Sequence, residues 1–216
     1  MGGENIKTYP DFVSKKTAIS KKIKSTSIDS RTWLRATINP EGSDNITYIG
    51  MNPSKATETV SDNTINNMLK FTKDLTDNLE NKMKIKNVIV TNIIPLYTSN
   101  HSNLKKQIDK VKVEVGEYEL DRVLEINLQR IIKAIRLSKY VVLCWGDCYI
   151  NKKMHLVITS SILRKLREFE SEYYVLNFEG ESTVLTLELQ PRHFGYTKFP
   201  KEIIEVKIEP SFYIDI

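Results

Sequence analysis

The sequence predicts one α/β domain, a three-layer α/β/α sandwich around a central, mostly parallel sheet. Three observations carry this expectation. Short apolar runs recur along the chain: ITYIG at 46–50, NVIVTN at 87–92, YVVLCW at 140–145 and YYVLNF at 173–178. Stretches with helical spacing separate them. The first three runs stop abruptly, at Gly50, Asn92 and Gly146, as buried strands do where they meet a turn.

In chain order, residues 1–30 are polar and rich in lysine, with Lys15-Lys16, Lys21-Lys22 and Lys24. They read as a solvated leader or first helix, with a basic arm for phosphates as the alternative. Residues 31–216 read as the single folded domain. RTWLRATI at 31–38 alternates and predicts an outer strand, and Asn39-Pro40-Glu41-Gly42 predicts a turn. The strand ITYIG follows and ends in Gly50-Met51-Asn52-Pro53-Ser54. A residue before proline is pushed out of the helical region, so Asn52 is expected to be extended at the strand tip.

From Asp62 to about Glu80, Ile65, Met68, Leu69 and Leu75 keep helical spacing, and Asp62 or Asn63 can cap the start. The next strand runs from Lys84 to Asn92, with Pro95 two apolar residues beyond. Residues 96–113, rich in Ser, Asn and Lys, read as a polar loop. Leu120, Val123, Leu124, Leu128, Ile131, Ile132 and Ile135 form one stripe of a helix over 120–137. The strand closed by Gly146 comes next, then a helix over 156–169 and the strand YYVLNF. A shorter apolar run, TVLTLEL at 183–189, leads into Gln190-Pro191-Arg192-His193-Phe194-Gly195-Tyr196. The tail reads as a short helix or an extended segment.

Composition bounds the function. The chain has 216 residues, is 40% hydrophobic and 27% charged, and has a mean hydropathy of −0.34. No apolar run approaches the length that spans a bilayer, and the N-terminus lacks the apolar core of a signal peptide. Cys144 and Cys148 are too few for a disulfide framework or a closed zinc site. These features read as a cytoplasmic protein. The net charge of +5 and pI of about 9.0 suit an anionic partner. There is no G-x-G-x-x-G after a strand, no phosphate-binding P-loop and no nucleophile elbow. His101, in the polar loop, and His155, at a helix start, lack metal-ligand spacing. No metal or other cofactor is therefore expected.

Three polar residues fall at or just after predicted strand ends: Asn52, Asn92 and His193. In a parallel sheet those ends point the same way, and ligands of open α/β sheets bind there. Cys144, on a buried strand, reads as an inert core thiol.

Four segments carry a resemblance. GMNPS at 50–54, VTNIIPL at 90–96, VVLCWG at 141–146 and PRHFGY at 191–196 resemble, in order, the signatures of the uracil-DNA glycosylase superfamily. The match covers roughly residues 45–200. The pattern resembles still more closely an uncharacterised bacterial and phage domain family carried on mobile elements. Its core is Leu-Asn-Pro-Ser followed by Asp-x-x-Thr, here MNPS and then Asp62-Asn63-Thr64-Ile65.

The glycosylase resemblance implies DNA repair chemistry, hydrolysis of the N-glycosidic bond of uracil in DNA after base flipping. It casts Asn92 as reader of the uracil edge, His193 as donor to the leaving base and Asn52 as the residue that orients water. Gly50, Met51, Pro53, Ser54 and Pro95 would wall the substrate pocket. Arg192, Phe194, Gly195 and Tyr196 would form the loop that intercalates into DNA, the alternative being that Phe194 or Tyr196 packs under the loop. The implied partners are DNA, single strands included, and an acidic inhibitor protein that mimics DNA. Three departures imply weak or vestigial activity: the loop lacks its rigid prolines, no aromatic soon after the first motif is there to stack on the base, and Ser54 replaces a glycine. A non-catalytic nucleic-acid or nucleotide-binding module is the alternative.

Overall fold

The computed structural model describes residues 6–78, 83–98, 103–148, 150–195 and 199–209, and the backbone of 214–215. Eight strands form one sheet: β1 (Lys15–Lys22), β2 (Asp29–Thr37), β3 (Asp44–Gly50), β4 (Ile85–Asn92), β5 (Tyr140–Cys144), β6 (Glu172–Phe178), β7 (Pro200–Ile208) and β8 (Ile214–Asp215). They pair in the order β1-β2-β4-β3-β5-β6-β7-β8. The central four, β4-β3-β5-β6, are parallel, and the outer strands join them antiparallel. The sheet is thus mixed, with a parallel centre.

Four helices cover it: α1 (Asn63–Asp77), α2 (Leu104–Val115), α3 (Glu117–Arg136) and α4 (Lys152–Leu166). Alternation along β3 divides the core. Ile46 and Tyr48 pack with Ile65, Met68 and Leu69 of α1, while Ile49 packs with Leu104, Ile131 and Ile162 of the other three helices. One helix therefore lies on one face and three on the other, as a parallel sheet buried on both sides requires.

Local chemistry explains the boundaries. The Asp62 carboxylate accepts from the Ile65 backbone N–H at 2.9 Å and starts α1. Asn151 does the same for α4, accepting from Lys153 and Met154 at 2.9 and 3.2 Å. Gly116, with φ of 87°, turns the chain between α2 and α3, a backbone angle that favours glycine.

Two segments differ from expectation. The lysine-rich leader carries β1, not a first helix. It pairs with β2 through a bulge between Ile19 and Ser20, and its lysines dress an open sheet edge. The polar loop at 96–113 contains most of α2. Leu104, Ile108 and Val111 keep one buried row there, and the lysines between them face water. The tail, expected as a short helix or an extended segment, takes the extended form as the nine-residue strand β7, of which Val206 and Pro200 are buried. The run TVLTLEL is not a strand: Leu187 and Leu189 are exposed, and one isolated bridge joins Leu185 to Pro191.

Candidate functional site at the carboxyl edge of the sheet

The register places the three strand ends side by side. Gly50 pairs with Asn92 on β4 and with Cys144 on β5. Asn52 lies two residues beyond Gly50, and Gly146 two beyond Cys144. A β-carbon built on Gly50 would stand 2.8 Å from Asn92 Nδ2, so the Asn92 amide lies directly over a position that has no side chain. Bonds from the Ile93 and Ile94 N–H groups to the carbonyls of Gly50 and Met51, at 2.8 and 2.9 Å, carry the ladder past the strand ends.

Asn52 is held from one side. Its Nδ2 donates to the Thr98 and Pro53 carbonyls at 2.8 and 3.2 Å, and its Oδ1 is buried with no partner among the described residues. Asn92 is 5% exposed, and its Oδ1 is likewise buried without one. Buried polar atoms are nearly always hydrogen-bonded, so two open acceptors at adjacent strand tips are the most unusual chemistry on this edge.

The segment bearing His193 reaches the same edge from the other side. The Gly146 N–H donates to the Pro191 carbonyl at 2.8 Å, and a β-carbon on Gly146 would lie 2.9 Å from the His193 β-carbon. Gly146 also has φ of 73°, so glycine is needed there for both angle and space.

A buried support lies behind the Asn52 turn. The Ser54 hydroxyl donates to Asp62 Oδ2, which also accepts from the Ala56 N–H at 3.2 Å. One carboxylate thus caps α1 with one oxygen and ties down the 54–56 loop with the other. Arg31 is 1% exposed; its Nη1 donates to the Ala56 carbonyl at 2.7 Å and its Nε has no partner among the described residues. Its backbone N–H donates to the Pro95 carbonyl at 2.8 Å. Burial pulls the Arg31 guanidinium below its ordinary basicity, opposed by Tyr97, Asp62 and Tyr9. Burial likewise pushes the Tyr9 hydroxyl up to about 12, and that hydroxyl donates to the Thr57 carbonyl.

Several residues assigned to the pocket or loop have other roles. Met51 is fully buried in the core against α2, α3 and α4. Pro53 and Pro95 are buried and serve through their carbonyls. Phe194 corrects the intercalation reading: it is fully buried, edge-on to Tyr48 and Phe71 at ring distances of 5.9 and 6.0 Å. A ring so enclosed cannot enter a DNA stack. Arg192 is tied to Glu181 at 3.1 Å and to the Thr183 carbonyl at 2.9 Å. The Gly195 N–H donates to the His193 carbonyl at 2.8 Å. Tyr196 and His101 lie outside the described residues. Phe71 is buried and packs against the buried Phe194 on one side and the exposed Phe199 on the other.

Asn127 of α3 was not anticipated. It is buried, and its Nδ2 donates to the carbonyls of Asn92 and Ile93 at 2.7 and 3.2 Å, fixing the tip of β4. Its Oδ1 is a third buried acceptor without a partner among the described residues. The signal in the sequence was a polar residue on the apolar stripe beside Val123, Leu124 and Ile131. Arg31 gave a weaker signal, a charge opening an alternating strand.

Asn52, Asn92 and Asn127 thus each keep an enclosed amide oxygen without a partner among the described residues. The Asp62 carboxylate beside this edge is already engaged. Burial pushes the Cys144 thiol up to about 12, so it is no nucleophile. Among the described residues no cluster of His, Cys, Asp and Glu could hold a metal ion, and no helix is long and apolar enough to cross a membrane.

No curated protein and no solved structure matches the chain. Residues 30–193 match the model of a family described as protein of unknown function, DUF1643. That span includes Arg31, Asn52, Asp62, Asn92, Asn127 and His193, and it covers most of the sequence: the chain belongs to the DUF1643 family.

Proposed function

We propose that the carboxyl edge is a nucleobase site on a uracil-DNA glycosylase-like plan, and that the protein slowly hydrolyses the N-glycosidic bond of uracil in DNA. The observation that carries this reading is the pair of buried, unpartnered amide oxygens on Asn52 and Asn92. A carboxamide offers one acceptor and two donors. Asn92 Oδ1 accepts from uracil N3–H while its Nδ2 donates to O4. Asn52, held by Thr98 and Pro53, turns its free Oδ1 toward a water. His193 donates to the negative charge that develops near O2 as the base leaves, a stabilisation that a fixed donor supplies electrostatically. An amide cannot take the water's proton, so general-base assistance is missing and the rate is low.

A second reading is favoured by the burial of Phe194: a nucleic-acid or nucleotide-binding module without catalysis, since that ring cannot fill the gap a flipped base leaves. Oligonucleotides containing uracil, hypoxanthine or a thymine mismatch, single and double stranded, followed by alkaline cleavage, separate the two. The hydrolytic reading expects slow, uracil-dependent breakage that Asn92→Ala abolishes. No breakage at enzyme excess, with base-dependent binding retained, would leave the binding module. Binding indifferent to both the base and Asn92→Ala would end the site itself.

A further inference from the structure

A groove of about 190 Å³ runs between the edge strand β1 and helix α3, outside the site described above. Its walls carry Lys21, Lys22 and Lys24 from the strand side and Arg122 and Arg130 from the helix, against one carboxylate, Glu119. Arg122 is engaged by that carboxylate at 2.6 and 2.8 Å. The floor is apolar: Ile19, Val123 and the exposed Ile126.

Topology places this groove beside the strand tips. Lys21 and Lys22 pair with Ser30 and Asp29, at the end of β2 where Arg31 bonds Pro95 just beyond β4. The lysines therefore stand at the same sheet edge as Asn92. On α3, Arg122, Ile126 and Arg130 follow one another every fourth residue and share a face. Asn127, next to Ile126, holds the Asn92 carbonyl.

We infer that this groove binds single-stranded nucleic acid, with the lysines and arginines on the phosphates and the apolar floor under the bases. A positively charged groove that tracks the backbone is the usual means of following a single strand; here the surface under the bases is aliphatic, not aromatic. An acidic peptide would use the cations but not the apolar floor. The inference rests on the nucleic-acid part of the function proposed above and not on its hydrolytic part.

The test is fluorescence anisotropy of a labelled thymidine oligonucleotide across a salt series. For single strands the logarithm of affinity falls with that of salt by about 0.7 per neutralised phosphate. The double variant Lys22→Glu, Arg130→Glu should bind at least tenfold more weakly, and its salt slope should be shallower by roughly 1.4. Glu119→Gln should tighten binding. Lys207→Glu, on β7 toward the opposite side of the sheet, should change nothing, and far-UV circular dichroism checks that each variant is folded. The inference is overturned if the wild type does not bind at low salt, if Lys207→Glu weakens binding as much as the double variant, or if polyglutamate of equal charge competes as well as the oligonucleotide. A protein that excises no uracil but loses oligonucleotide binding in the double variant ends the hydrolytic reading and leaves the groove standing.

Discussion

Replacing Phe194 with alanine separates a core ring from one that probes DNA. The side chain is fully buried between Tyr48 and Phe71, with interplanar angles of 83° and 70°. Truncating a buried phenylalanine costs about 3–5 kcal/mol through lost burial and the cavity left behind. Two edge-on aromatic pairs, each worth about 0.5–1.5 kcal/mol beyond burial, put this site toward the upper end. For a chain of this size each kcal/mol moves the thermal midpoint by about 2–4 °C, so Phe194→Ala should lower it by about 6–20 °C. A melt followed by circular dichroism measures this, and Phe194→Leu should recover most of the loss. A shift below about 2 °C, with duplex binding weakened far more than single-strand binding, would show that the ring leaves the core and that the packing argument is wrong.

Three further outcomes follow from the same geometry. Gly50→Ala puts a methyl group 2.8 Å from Asn92 Nδ2; overpacking should cost about 1–3 kcal/mol in a thermal melt while base-dependent binding falls to the level of Asn92→Ala. Asp62→Ala removes a helix cap worth about 1 kcal/mol and strands the Ser54 hydroxyl and Ala56 N–H at about 1–3 kcal/mol each, a loss readable in urea denaturation and smaller for Asp62→Asn. His155 is buried with Nε2 unpartnered among the described residues, and burial holds it below its ordinary value of 6.5 against the pull of Glu188 and Asp147. As pH falls below 6.5 the unfolded chain takes the proton before the folded one, so this residue's contribution is intact above that pH and is lost on acidification. Melts between about pH 5 and 8 should show that slope, and His155→Leu should flatten it.

The parts of the fold that sequence made visible are those where burial writes a strong period. β3, β4, β5 and β6 are buried on both faces and appear as continuous apolar runs, and α3 appears as a stripe. β1 and β7 stayed hidden because edge strands expose one side: KKTAISKK has no fully buried residue, and PKEIIEVKI has two. α2 was missed because its three buried residues stand among charges. At the site, Asn52 and Asn92 were legible as polar residues ending apolar strands. Arg31 and Asn127 reach the same edge only because β2 pairs alongside β4 and α3 packs against it, a relation no local pattern carries. Phe194 stayed undecided between the intercalating loop and packing beneath it, because a loop residue next to a histidine gives no sign that Tyr48 and Phe71 wait beneath it.

The position of β3 bears on how the chain is made. It is hydrogen-bonded on one side to β4 and on the other to β5, with Ile46 opposite Val88 and Tyr140. A ribosome adding about 5–20 residues per second leaves the second of these edges without its partner for roughly 5–20 seconds after β3 emerges. During that interval ITYI, apolar and rich in β-branched residues, offers an open edge to any other nascent strand. A chain halted before Tyr140 should therefore be trapped by chaperones or aggregate. One released after Phe178 has every parallel pairing available and lacks only the outer antiparallel strands β7 and β8.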